Sequence, residues 1–314
     1  MRDGYRVLTV WFALAVLTIV SQDLYGRRSM AAPASPVHMV VTAEGRHGGE
    51  VPLVPAGEVQ VYEGRERLQV ADWVPLTGER AGLEFFILID DASSTSIGSQ
   101  FQDLNAFMLE QPESTLLGLG YMRNGTVEIA QNPSVDHAAV AKALRLPLGN
   151  GGALSSIYIS ISDLIKRWPA SPRRHEILVI SDGIDRFGGS GPANPYVDTV
   201  IDDAQKAGVL IYSIYASGAG HFGRSFWRMN WGENYLSEVS DETGGEAYFL
   251  GYETPVSFAP YLRDLMRKLN HQYLLAFIPK PEKKSGFQRV KVRTEMPSVE
   301  LISASRVYVE ASEI

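Results

Sequence analysis

The chain has 314 residues, 45% of them hydrophobic, with a formal net charge of −7 and no cysteine. That is enough apolar material for a sizeable core, so general disorder is excluded, and the basic residues are too dispersed to form a nucleic-acid surface. Without cysteine there is no disulfide frame, no thiolate metal site and no lipid-modified Cys.

Arg2 and Arg6 precede an apolar run over residues 7–20, after which Ser21, Gln22 and Asp23 restore polarity. This is the layout of a secretory signal, and the run is short of the roughly 20 residues that span a bilayer comfortably. Residues 1–21 are expected to be a signal peptide or signal anchor, and residues 22–36, rich in Ser, Ala, Pro and Arg, a linker. A retained anchor is the membrane attachment the sequence allows. Export without cysteine fits a bacterial envelope, so the expected location is the periplasm, outer envelope or exterior. Short strands follow at 37–42, 59–62 and 67–73, giving an N-terminal β segment over 37–80 with too few strands to stand alone.

From residue 83 strands alternate with helices. The spacing predicts a strand over 85–90 and a helix over 97–110. A strand pair over 114–122 and 126–131 is joined at Asn124-Gly125, a strong hairpin signal. Helices are expected over 135–144 and 154–168, the second stopped by Pro169. Then come a strand over 176–181, a helix over 197–207 closed by Gly208, and a strand over 209–216. A long aromatic loop over 217–235 precedes a helix over 234–243. A short strand over 246–250 and a last helix over 256–270 complete the series. The expected fold over 83–270 is a doubly wound, mostly parallel α/β sheet with helices on both faces. Strands at 272–278, 287–294 and 299–309 make a C-terminal β segment over 271–314. The two β segments are expected to pack together as a small sandwich into which the α/β domain is inserted; the alternative is one α/β domain with frayed β extensions.

The segment FFILIDDASSTSIGSQF, residues 85–101, carries the chemistry. Its apolar run lacks polar alternation and so reads as a central strand covered on both faces. The strand ends in Asp90, Asp91, Ser93, Ser94, Thr95 and Ser96, at the sheet edge where open α/β proteins bind ligands. One such residue would cap the following helix; the surplus of hard oxygen donors suits Mg²⁺ or Ca²⁺.

Asp91-x-Ser93-x-Thr95 with a helix directly after it resembles the metal-ion-dependent adhesion site of von Willebrand factor type A (VWFA) domains, whose pattern is Asp-x-Ser-x-Ser. ILVISDGID, residues 177–185, continues the resemblance: in that family a buried strand ends in Ser-Asp-Gly and its Asp enters the coordination sphere. The resemblance implies Asp91, Ser93, Thr95 and water-linked Asp182 as ligands of Mg²⁺ or Ca²⁺, with an open position for a partner's carboxylate. The flanking strands are similar to the VWFA-related proteins common in Acidobacteria, which are exported. One element departs: where the family supplies a Thr, GNGGALSSIY at 149–158 offers Gly152 or Ala153. Ser155 and Ser156 are the nearest hydroxyls that could substitute through water. In a register shifted by one, Asp90 would head the motif and Ala92 would replace its first Ser. Asp91 is preferred as the metal-facing group, with Asp90 bonding backbone.

The resemblance implies a non-enzymatic, adhesion-type module that engages a protein or envelope polymer through the cation. Arg224, Trp227, Arg228 and Trp231 are expected to contact that ligand, since aromatic residues and Arg anchor interfaces; Phe222 and Phe226 read equally well as core. A structural interaction protein with a metal-free site is the alternative. Metal-assisted hydrolysis by Asp90, Asp91 and Asp182 is a third reading. Against it, His175, His221 and His271 are scattered and no Gly-x-Ser-x-Gly elbow occurs.

Overall fold

A computed structural model describes residues 35–149, 156–187, 193–219, 225–249, 251 and 255–311. The expected signal at 1–21 and most of the linker, with Ser155, Phe222 and Arg224, lie outside the described residues. Three strands come first, β1 (Val37–Gly45), β2 (Val59–Glu63) and β3 (Glu66–Pro75). The middle of the chain supplies β4 (Leu83–Asp90), α1 (Phe101–Leu109), β5 (Thr115–Arg123), β6 (Thr126–Ser134), α2 (His137–Lys142) and α3 (Ile157–Arg167). It continues with β7 (Arg174–Ser181), α4 (Pro195–Ala207), β8 (Leu210–Tyr215), α5 (Phe226–Thr243), β9 (Ala247–Tyr248) and α6 (Ala259–Leu269). Five strands end it: β10 (Gln272–Ile278), β11 (Gly286–Arg289), β12 (Lys291–Thr294), β13 (Val299–Ser303) and β14 (Arg306–Val309).

The middle elements form a mixed α/β layer structure. Its sheet runs β6-β5-β4-β7-β8-β9, parallel throughout except for β6. Pleating sends alternate β4 side chains to opposite faces. Phe85, Ile87 and Ile89 join α1, α2 and α6 in one core, while Phe86 and Leu88 join α3, α4 and α5 in the other. A strand buried on both faces has no use for polar alternation, which is why this run has none. Local chemistry sets the ends of the elements. Asn124 and Gly125 both take positive φ in the tight β5–β6 turn, Asn194 caps α4 with Pro195 at its first position, and Gly208 ends α4 in the left-handed region. From β4 the chain moves to β5 on one side and later returns to β7 on the other. The ends of β4 and β7 therefore form a topological switch point, where an open α/β sheet leaves a crevice.

The two ends of the chain share a second sheet, β12-β2-β3-β10-β1-β13, antiparallel throughout. Its outer strands β12 and β13 lie against each other, so the sheet rolls almost closed. The expected small sandwich is thus a near-barrel plus a two-stranded ribbon, β11-β14. The reason is a break within each C-terminal strand: the Val290 amide donates to the Ser305 carbonyl at 3.0 Å, and the halves on either side of this corner join different sheets. Trp73 stacks on Tyr273 at 4.3 Å inside the near-barrel. The aromatic segment expected as a loop over 217–235 is helical from Phe226 onward, because its Trp231 and Tyr235, with Leu236 and Val239 after them, have an apolar face of α/β core to cover.

Candidate functional site

Asp90 and Asp91 are consecutive, so they leave the end of β4 in opposite directions. Asp90 turns toward β7: its Oδ2 accepts from the Ser181 hydroxyl at 2.9 Å and its Oδ1 from the Ala92 amide at 2.9 Å. Asp91 turns the other way, to the segment after α2. There Arg145 donates Nη1 to Oδ1 at 2.7 Å and Nη2 to Oδ2 at 3.0 Å, and the Leu148 amide adds a bond to Oδ1 at 3.3 Å. Arg145 itself lies over the Tyr121 ring at 3.6 Å, a stacked and bidentate arrangement that suits guanidinium.

Asp182, next after β7, is fully buried. Its Oδ1 accepts from the Ile184 amide at 2.9 Å, and its Oδ2 faces Arg186 Nη2 at 3.4 Å. Burial, and then the facing Asp90, push the Asp182 carboxyl up to about 7; burial also raises Asp90, opposed in part by the Ala92 amide bond and then by Arg186. The acid pair at the switch point is therefore Asp90 with Asp182. Asp90 bonds backbone at Ala92, as expected, and it also neighbours Asp182, while Asp91 is held by Arg145, an arrangement that matches the register headed by Asp90. In that register Ala92 stands where the adhesion motif has its first Ser.

The rest of the predicted set is dispersed. Ser93 is buried, and its hydroxyl has no hydrogen-bond partner among the described residues. Thr95 is exposed at the start of a 3₁₀ turn, and Ser94 caps that turn through its bond from the Ser96 amide. Ser156 caps α3, accepting from the Ile159 amide at 3.3 Å. Trp227 is 67% exposed, whereas Trp231 packs against the core and Arg228 is half-buried. Phe226 is exposed against Trp227, centroids 5.7 Å apart.

Over the acid pair lies the segment after β8. Ser93 bridges to Gly218, the Ser94 amide donates to the Ser217 carbonyl at 2.9 Å, and the Ala219 amide to the Ala92 carbonyl at 3.0 Å. A Cβ at Gly218 would overlap Asp182 Oδ2 and crowd Arg186 Nη2, so only glycine permits this close cover. Sequence reasoning missed Arg145, Arg186 and Gly218. Arg186 had a signal, a cation four residues beyond Asp182; Arg145 and Gly218 had none, since their roles depend on distant loops meeting.

The class of protein follows from this topology: a mixed α/β domain joined to an antiparallel near-barrel, with a charged cluster at the switch point of its sheet. No family model and no curated protein matches the chain. Among solved structures it is similar to a von Willebrand factor type A protein from Catenulispora acidiphila at 9% identity, covering 91% of this chain and 76% of that one with a TM-score of 0.45. It is also similar to an aerotolerance-related membrane protein from Bacteroides fragilis NCTC 9343, at 14% identity over 60% of this chain and 99% of that one, TM-score 0.44. The minor pilin PilB of Streptococcus sanguinis is a further neighbour, at 12% identity over 60% and 61% of the two chains, TM-score 0.40. Likenesses this remote carry no argument about ligand or activity.

Proposed function

We propose that the chain is a non-enzymatic interaction module that binds a protein or envelope polymer at the C-terminal edge of its α/β sheet. The observation that supports this most is an apolar rim beside a largely buried charge cluster. Leu146, Leu148, Phe187, Phe226 and Trp227 are all exposed. Leu146 and Leu148 flank the Arg145–Asp91 pair, Phe187 follows the Asp182 turn, and Phe226 and Trp227 open α5 after the β8 loop. Scattered single apolar residues need no explanation, but several on one edge mark an interaction surface. Catalysis has less support at this edge. Three histidines lie elsewhere: His137 bonds the Thr115 carbonyl, His175 stacks on Trp168, and His271 bonds the Arg267 carbonyl after α6.

With the export that residues 1–21 imply, the partner is sought in envelope extract. A Phe226→Ser/Trp227→Ser double variant is expected to bind the captured and purified partner at least about tenfold more weakly than wild type by isothermal titration, as hot-spot aromatics do. Equal affinity would remove the rim from the interface.

A further inference from the structure

The adhesion-site resemblance implies a divalent cation, and the residues present do not fit one. All six carboxylate oxygens of the three aspartates already face protein donors. For Asp90 these are the Ala92 amide and the Ser181 hydroxyl; for Asp91, Arg145 and the Leu148 amide; for Asp182, the Ile184 amide and Arg186. Mg²⁺ demands near-octahedral oxygen ligation at about 2.1 Å, and Ca²⁺ still more ligands. Ala92 withholds one hydroxyl, Thr95 is exposed, and Ser93 keeps a buried, uncommitted one. No group of three or more His, Asp or Glu side chains arranged to hold a metal occurs among the described residues.

From this disagreement we infer that Arg186, in the turn after β7, supplies as a fixed guanidinium the positive charge that the family draws from a metal ion, leaving the switch point closed to divalent cations. Arg186 is 7% exposed and reaches the buried Asp182 from within its own turn. Gly218 seats backbone directly on that pair. Arg145 does the same for Asp91 from the opposite side. A dication entering here would meet the buried Arg186 guanidinium, and repulsion between like charges in such a low-dielectric site is far stronger than in water. Guanidinium cannot be neutralised at any physiological pH, so the site carries its cation permanently. This goes beyond the interaction proposal and does not depend on a partner being found.

The test uses the full chain, freed of metal by chelator and then titrated with Mg²⁺, Ca²⁺ and Mn²⁺ while heat and Tm are followed. Wild type is expected to give no saturable heat and an unchanged Tm. Arg186→Ser is expected to gain saturable Mn²⁺ binding with a rise in Tm of about 5 °C at saturating ion, lost again in Arg186→Ser/Asp182→Asn. Should Arg186→Ser fail to fold, Arg186→Gln, which keeps a hydrogen-bond donor without the charge, takes its place with the same outcomes. Saturable binding by wild type that Asp182→Asn abolishes overturns the inference. A folded charge-free variant that binds no ion overturns the assignment to Arg186.

Discussion

Asp182 shows what an enclosed carboxylate does to its surroundings. Its folded pKa of about 7 lies above the ordinary 3.8. Between those values the folded chain keeps a proton that the unfolded chain has released. The contribution to stability is therefore full below 3.8 and is lost as pH rises through about 7. Asp182→Asn, whose side-chain carbonyl can still accept from the Ile184 amide, is expected to flatten the fall in urea midpoint across that window. Superimposable profiles for the two proteins would refute it. Arg145 poses the complementary case, because its removal leaves Asp91 buried without its charge partner. Arg145→Ala is expected to cost about 2 kcal/mol in urea unfolding. The full penalty of a buried pair does not apply, since the Arg145 side chain is 37% exposed and water can reach the gap.

Among the elements, α5 and the turn after β7 depend on a close backbone approach. Gly183 has φ +70°, and a Cβ there would overlap the Gly232 carbonyl and press on Leu236. Tyr158 of α3 donates its hydroxyl to the Gly183 carbonyl at 2.7 Å, fixing the turn from the other side. Gly183→Ala is therefore expected to displace α5 and lower Tm by several degrees, together with loss of near-ultraviolet circular dichroism from Trp231; an unchanged Tm would show that the turn relaxes freely. The same geometry positions the aromatic start of α5, so this substitution and the Phe226/Trp227 pair probe one edge through different means. Asp103 of α1 plays a related part, accepting from Ser257 and from the amides of Phe258 and Ala259 to cap α6.

At the scale of the molecule, a buried polar seam joins the two sheets. Gln272 of β10 donates to Glu176 at 3.2 Å and to the Tyr212 hydroxyl at 3.1 Å, and Arg174 pairs with Glu176 while bonding the Ala81 and Leu269 carbonyls. Lys268 of α6, 5% exposed, bonds Glu44 of β1 and faces Glu246 and Asp264. These bonds tie the two sheets together across a buried junction, with the Gln272 side-chain oxygen left without a partner among the described residues of the seam. Wild type is expected to unfold in one transition by circular dichroism and tryptophan fluorescence. Lys268→Met, which leaves Glu44 and Glu246 without their cation while Asp264 keeps Arg267, is expected to lower stability by about 2 kcal/mol, moderated because Glu246 is partly exposed. No loss would mean that the seam holds through Glu176 and Gln272 alone.

Much of this architecture is written in local sequence. The continuous run at 85–89, the Asn124-Gly125 turn, Pro195 and Gly208 act through short-range sterics and burial, so strands, helices and their order can be read residue by residue. The same run located the sheet edge with Asp90 and Asp91, and the second strand end at 177–185 added Asp182. Only the tertiary structure decided which aspartate faces which neighbour. Adjacent residues at a strand end point apart, and the choice between them was made by Arg145, 54 residues beyond Asp91 in the chain, and by Ser181, 91 residues beyond Asp90. The closing of Gly218 over Asp182 and the corner at Val290 are likewise meetings of distant segments. Periodicity reports which face of an element is buried; it carries no information about which charged partner that burial brings within reach.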